Sequence, residues 1–142
     1  MAKPIYQIRS YCPEDYSAFE EWHNAHGKCP PPQSILPKLG IVVLECGEGE
    51  PMPVAFLFLY LDNSVGVSFL DHIVTRPGLS ATRARNSLLW GMRCLRKLAA
   101  DMDYGVMLCH TLPAIARTLG REGWHAMTDG KVSMISLTKE GQ

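Results

Sequence analysis

Residues 65–89 read VGVSFLDHIVTRPGLSATRARNSLL, which sets an acid beside an imidazole, Asp71-His72, a short distance ahead of two arginines, Arg83 and Arg85. A carboxylate or an imidazole can take the proton of an attacking nucleophile, and a group titrating near neutrality does so best. The arginines follow a Pro77-Gly78 turn and open a helix-patterned segment with no Asp or Glu before Asp101. The first turn of a helix has unpaired N–H groups and a positive partial charge, so acids are expected there. Cations become favourable at that end when a phosphate lies over them. Two solvated arginines, both good helix formers, account for the pattern equally well.

His23, His26 and Cys29 have a His-x2-His-x2-Cys spacing, and residues at i and i+3 share a helix face. A closed zinc site needs a fourth ligand, and the proline-rich loop that follows offers none, so no metal is expected. His26 suits a helix C-terminus, where its charged form is favoured. No Ser-His-Asp order, phosphate-binding P-loop or dinucleotide fingerprint is present. Arg83, Arg85, Arg93, Arg96 and Lys97 share one helical segment without interleaved aromatics, which reads as a solvated face and not as a nucleic-acid surface.

The 142 residues fit one domain, 1–142, large enough for a real core. Fourteen basic residues balance fourteen acidic ones, so the positive charge is local and no broadly cationic partner surface is indicated. The longest apolar run, 54–61, is too short to span a bilayer, and the N-terminus lacks the apolar core of a signal peptide. Five cysteines, odd in number and without a CxxC pair, fit reduced thiols in a cytoplasmic protein with no membrane association.

The elements that must position these groups follow from periodicity. Residues 5–9 alternate as a strand, and Pro13-Glu14-Asp15 opens a helix with Tyr16, Phe19 and Trp22 inward and Gly27 at its end. The stretch KCPPPQSILPKLG is predicted as an ordered loop that covers Ile35, Leu36 and Leu39. Strands at 41–46, 54–61 and 65–75 follow, the first two as antiparallel neighbours. The longest helix, 80–102, turns Ala84, Leu88, Met92, Leu95, Leu98 and Met102 inward. A strand at 104–109, a helix entered at Pro113 and closed by Gly123, and a hairpin around Thr128-Asp129-Gly130-Lys131 complete the order. The tally β-α-β-β-β-α-β-α-β-β is an α+β order with a mixed sheet.

Two stretches, FLDHIVTRPGLSATRARNSLL and LPAIARTLGREGWHAMTDGKVSMISL, give this order a resemblance to the GNAT superfamily of N-acetyltransferases across nearly the whole chain. A narrower likeness, to small GNAT-type proteins encoded in bacteriophages and prophages, rests on Trp22, His26-Gly27, Leu36-Pro37, Gly40 and AFLFLYLDNS. The resemblance implies an α+β fold with a mixed, mostly antiparallel sheet of about seven strands and helices on both faces. It implies acetyl-CoA as co-substrate and an amine acceptor, on a small molecule or a protein lysine, and leaves room for a homodimer. Asp71 matches the acid that takes the amine proton, with His72 the alternative favoured by intrinsic pKa; on a regular strand the two face opposite sides.

The resemblance further assigns the coenzyme's pantetheine arm to the backbone of Ile73, Val74 and Thr75, in a cleft where the strands at 65–75 and 104–109 splay. The pyrophosphate falls to Ser80, Ala81, Thr82, Arg83 and Arg85. The family pattern at that loop is Gln or Arg, two residues, Gly, one residue, Gly or Ala; here both small positions differ, and arginine side chains stand in for close backbone approach. Leu119 occupies the place of the tyrosine that protonates the departing thiolate, leaving His110 or Tyr104 beside the cleft as stand-ins, and Leu119→Tyr is expected to leave or raise the rate. The alternative function is a catalytically inactive phage protein of this fold acting as a binding or virion-assembly module.

Overall fold

A computed structural model of the chain describes residues 5–111, 113–127 and 132–137. Its elements are β1 (Ile5–Ser10), α1 (Tyr16–Ala25), β2 (Gly40–Cys46), β3 (Met52–Asp62), β4 (Val67–Thr75), α2 (Ala81–Asp101), β5 (Val106–Thr111), α3 (Pro113–Arg121), β6 (His125–Ala126) and β7 (Val132–Leu137). Contacts divide the chain into two compact units, Met1–Phe58 with His72–Met92, and Leu59–Asp71 with Arg93–Gln142. Among the described residues no helix is long and apolar enough to cross a membrane.

In the first unit β1, β2 and the start of β3 form an antiparallel meander, with Ile8 opposite Val43 and Val42 opposite Phe56. The strands read as continuous apolar runs because both faces are covered. On one face Phe19 and Trp22 of α1 pack against Val42, Phe56, Phe58 and Val74. On the other, Gly91 of α2 lies so close that a Cβ there would sit 2.7 Å from Leu57 Cδ1 and 3.0 Å from Val43 Cγ2. Helices therefore flank this part of the sheet on both sides.

The start of α1 is fixed by charge. Arg9 of β1 donates two hydrogen bonds of 2.8 Å to the Asp15 carboxylate, which also accepts the Cys12 N–H at 2.9 Å. The guanidinium holds the Asp15 carboxyl below the usual range. A short 3-10 turn, Pro13–Asp15, leads into the helix, and Gly27 ends it with φ at +71°. In the loop that follows, Leu36 packs on the core as expected, but Ile35 lies in a 3-10 turn and is 54% exposed. Arg76 donates its backbone N–H to Val54 O and its Nε to Pro53 O, and its guanidinium lies 5.1 Å from the Trp22 ring centre. That cation–π contact ties the end of β4 to α1.

In the second unit β4 runs parallel to β5, from Val67 opposite Val106 to Leu70 opposite Cys109, and β5 runs antiparallel to β7. The sequence predicts about seven strands; five, β1 to β5, form the body of the mixed sheet. The closing hairpin adds only the two-residue β6 and its partner β7. Trp124, buried, gives its N–H to the Leu119 carbonyl at the end of α3, so the chain joins the ladder late. The predicted turn at Thr128-Asp129-Gly130-Lys131 lies outside the described residues.

The charged face of α2 departs from a merely solvated surface. Arg93 donates to both Glu122 carboxylate oxygens, at 2.8 and 2.9 Å, and Arg96 donates to the Glu122 carbonyl. Met102, predicted inward, is 43% exposed where the helix runs out.

Candidate functional site

β4 positions the site. Ser68 and Leu70 are buried while Phe69 and Asp71 are exposed, a clean alternation that stops at His72, whose φ of +54° lies in the left-handed region. A non-glycine residue there is uncommon and strained. The expectation that Asp71 and His72 face opposite sides of a regular strand is therefore corrected: the two-residue period does not carry across a left-handed residue. The His72 ring approaches Phe58, centroids 6.4 Å apart and nearly perpendicular.

Within the second unit a cavity of about 670 Å³ opens over β3, β4 and β5. Tyr60, Asp62 and Asn63 line it from β3 and the turn beyond, Phe69 and Asp71 from β4, and Leu108 and His110 from β5, with Met127 alongside. Its volume is that of a small-molecule site. Burial, and then the charge of the Asp71 carboxylate, push the Tyr60 hydroxyl up from its ordinary value. Asp62 Oδ1 accepts the Ser64 N–H at 2.8 Å and the Ser64 hydroxyl at 2.5 Å, which lowers its carboxyl. The Tyr104 hydroxyl donates to Asn63 Oδ1.

The structure thus brings Asp71 and His110 to one cavity, while Tyr104 acts one step behind it through Asn63. Tyr60 and Asp62 were not singled out from the sequence. The only signal was polar atoms at the end of an apolar run, LYLD, and strands commonly end that way. Leu119 is 1% exposed, so a tyrosine there would have to displace core; the expectation that Leu119→Tyr is harmless is corrected on that ground.

The remaining site candidates lie in the first unit. Ile73, Val74 and Thr75 finish β4, with Val74 buried and the Thr75 carbonyl accepting from His26 Nε2 at 2.8 Å. Ser80 caps α2: its hydroxyl accepts the Arg83 N–H at 3.2 Å and its carbonyl the Ala84 N–H at 2.9 Å. Ala81 and Thr82 open the helix on its exposed side. Arg83 reaches back to β2, where Nη2 and Nε donate to the two Glu45 carboxylate oxygens at 2.5 and 3.2 Å. Arg85 is exposed. His23 and His26 are each bonded to a backbone carbonyl, Phe19 and Thr75, and so are not aimed together at one point with Cys29.

This order of elements, with a parallel β4–β5 pair followed by an antiparallel hairpin, matches solved structures closely. The fold is that of the GNAT acetyltransferases. The ribosomal-protein-S18-alanine N-acetyltransferase of Escherichia coli superposes with a TM-score of 0.71 at 12% identity, covering 97% of each chain. An acetyltransferase of the GNAT family from Staphylococcus aureus gives 0.64 at 11% identity, over 95% of this chain and 100% of the other. N-acetylglutamate synthase from Neisseria gonorrhoeae, solved with coenzyme A and N-acetyl-glutamate, gives 0.68 at 7% identity; the match covers 98% of this chain and 36% of that one. No protein-family model matches the sequence, and no curated protein matches it. The likeness to the GNAT fold is one of architecture, carried by register and order rather than by shared residues.

Proposed function

We propose that the chain is an acyl-CoA-dependent N-acyltransferase that moves an acetyl group from acetyl-CoA to an amine bound in the cavity above β4. The observation that carries this reading is Asp71, exposed to that cavity on the last regular residue of β4 before the left-handed turn at His72. Names of the structural neighbours supply the reaction class, and the residues of this chain supply its parts.

Asp71 takes a proton from the acceptor ammonium, and the freed nitrogen attacks the thioester carbonyl carbon. An N–C bond forms, the C–S bond breaks, and the thiolate leaves with a pKa near that of a free thiol, about 8.5. Leu119 has no proton to give it. Tyr60, kept protonated by burial and by the neighbouring Asp71 charge, lines the same cavity and fills the donor role, with His110 as the second candidate. His72 serves as the bend that ends the regular strand, not as the base.

Ile73, Val74 and Thr75 offer backbone groups to the pantetheine arm. The residues at the start of α2 fit a pyrophosphate in part: Ala81, Thr82 and Ser80 present the helix start and Arg85 is exposed, whereas Arg83 is already paired with Glu45. An incoming phosphate competes with Glu45 for Arg83. Calorimetric titration with acetyl-CoA tests the reading: saturable one-to-one binding supports it, and no heat at millimolar ligand removes it.

A further inference from the structure

The sheet face that α2 covers carries a polar cluster in the first unit. Tyr6 of β1 lies directly opposite Glu45 of β2 in the antiparallel register, so the two side chains stand on one face with Cβ atoms roughly 4.5–5.5 Å apart. That face is the one toward α2. Arg83 meets both oxygens of the Glu45 carboxylate there, and the Tyr6 ring packs against Trp90 with centroids 5.9 Å apart. The Glu45 side chain is only 14% exposed, so its charge depends on a donor.

One donor in this cluster is idle. The Tyr6 hydroxyl is buried and makes no hydrogen bond among the described residues, an arrangement that costs free energy. Burial pushes its pKa up. Ser87 pulls it back without meeting hydrogen-bond geometry, and the charges of Glu45, upward, and Arg83, downward, then act on it. The hydrogen of the Ser87 hydroxyl goes instead to the Arg83 carbonyl, at 2.7 Å.

We infer that Tyr6 is the alternate partner of Glu45: when Arg83 turns from the carboxylate to an anion at the start of α2, the Tyr6 hydroxyl donates to Glu45 in its place. The exchange leaves no buried carboxylate bare and gives the idle hydroxyl a charge-assisted bond, so releasing Arg83 costs less than breaking an ion pair outright. Tyr6 is a positioning residue in this scheme, because it acts on the ligand only through Glu45 and Arg83. The inference rests on the acyltransferase reading only for naming the anion as the coenzyme pyrophosphate.

Thermal melts of a mutant cycle in the full chain test the exchange. Tyr6→Phe alone should leave Tm unchanged or raise it, because the hydroxyl it removes has no bond to lose. Arg83→Ala should lower Tm at least about twice as far in the Tyr6→Phe background as in wild type, and Glu45→Ala should abolish that difference. Calorimetric titration with acetyl-CoA gives the second readout: Tyr6→Phe should weaken binding by about three- to tenfold, and should not weaken it once Glu45 is alanine. Additive Tm losses, or a Tm lowered by several degrees in Tyr6→Phe alone, overturn the inference. Equal acetyl-CoA affinity in wild type and Tyr6→Phe overturns it too. No acetyl-CoA binding by wild type removes the pyrophosphate reading and leaves the melts to decide the exchange.

Discussion

Arg83 and Glu45 are 38 residues apart in sequence, yet the guanidinium of one meets both carboxylate oxygens of the other, in a forked pair between the first turn of α2 and the end of β2. The pair neutralises one of the two arginines at this helix start that the proposed reading gives to a pyrophosphate. Its arginine is 44% exposed, so the pair is of the kind that a competing anion can open.

The first prediction follows. Glu45→Gln should tighten acetyl-CoA binding by roughly two- to fivefold at low salt, because it releases Arg83 without changing shape. Arg85→Ala should weaken binding more than Arg83→Ala does. Titrations of the three variants decide this; equal losses from the two arginine variants and no gain from Glu45→Gln would mean that the pair does not regulate the site.

Two helical glycines should respond in opposite directions to alanine. A methyl at Gly91 would press on Leu57 and Val43, both fully buried, so Gly91→Ala should destabilise by about 1 kcal/mol, overpacking of ~1–3 kcal/mol outweighing the gain in helix propensity. At Gly120 of α3 a Cβ meets nothing within 4 Å, and Gly120→Ala should stabilise by up to ~1 kcal/mol. Urea denaturation midpoints measure both.

His23 should govern stability in mild acid. The ring is buried, its Nδ1 bonds the Phe19 carbonyl at 3.0 Å, and burial pushes its pKa down. The unfolded chain therefore binds this proton first, so the contribution is whole above the unfolded value of about 6.5 and is lost as pH falls below it. Asp15, lowered by Arg9, adds a second loss below about pH 4 by the same logic. His23→Gln should flatten the fall in Tm between pH 7.5 and 5; a parallel fall in both proteins would exclude His23 as its source.

Local chemistry made much of this fold readable. The proline and acids before α1, Gly27 at its end, the apolar run of β3 and the Pro77-Gly78 turn into α2 each act on neighbours in sequence, and each element lies where its pattern puts it. What escaped depends on distant or strained partners. Nothing in the letters Asp71-His72 announces a left-handed backbone, since only surrounding structure can impose it on a histidine. Nor does a strand pattern show that Tyr60 would feel Asp71, or that Glu45 would reach Arg83 and Glu122 would collect Arg93 and Arg96. The start of the closing hairpin was misplaced because Trp124 looked like a strand residue, whereas its N–H closes a helix and β6 is only His125–Ala126.

The central claim is that Asp71 takes a proton during acetyl transfer while His72 only shapes the strand. Steady-state transfer from acetyl-CoA to a panel of amines, in wild type, Asp71→Asn and His72→Gly, tests it most directly. Glycine adopts the +54° backbone without strain, so His72→Gly preserves the bend and removes only the imidazole. The account predicts turnover by wild type, a loss of about 10²- to 10⁴-fold in kcat for Asp71→Asn, and less than about tenfold for His72→Gly. A folded wild type with no transfer above the uncatalysed rate, or a greater loss from His72→Gly than from Asp71→Asn, would contradict it.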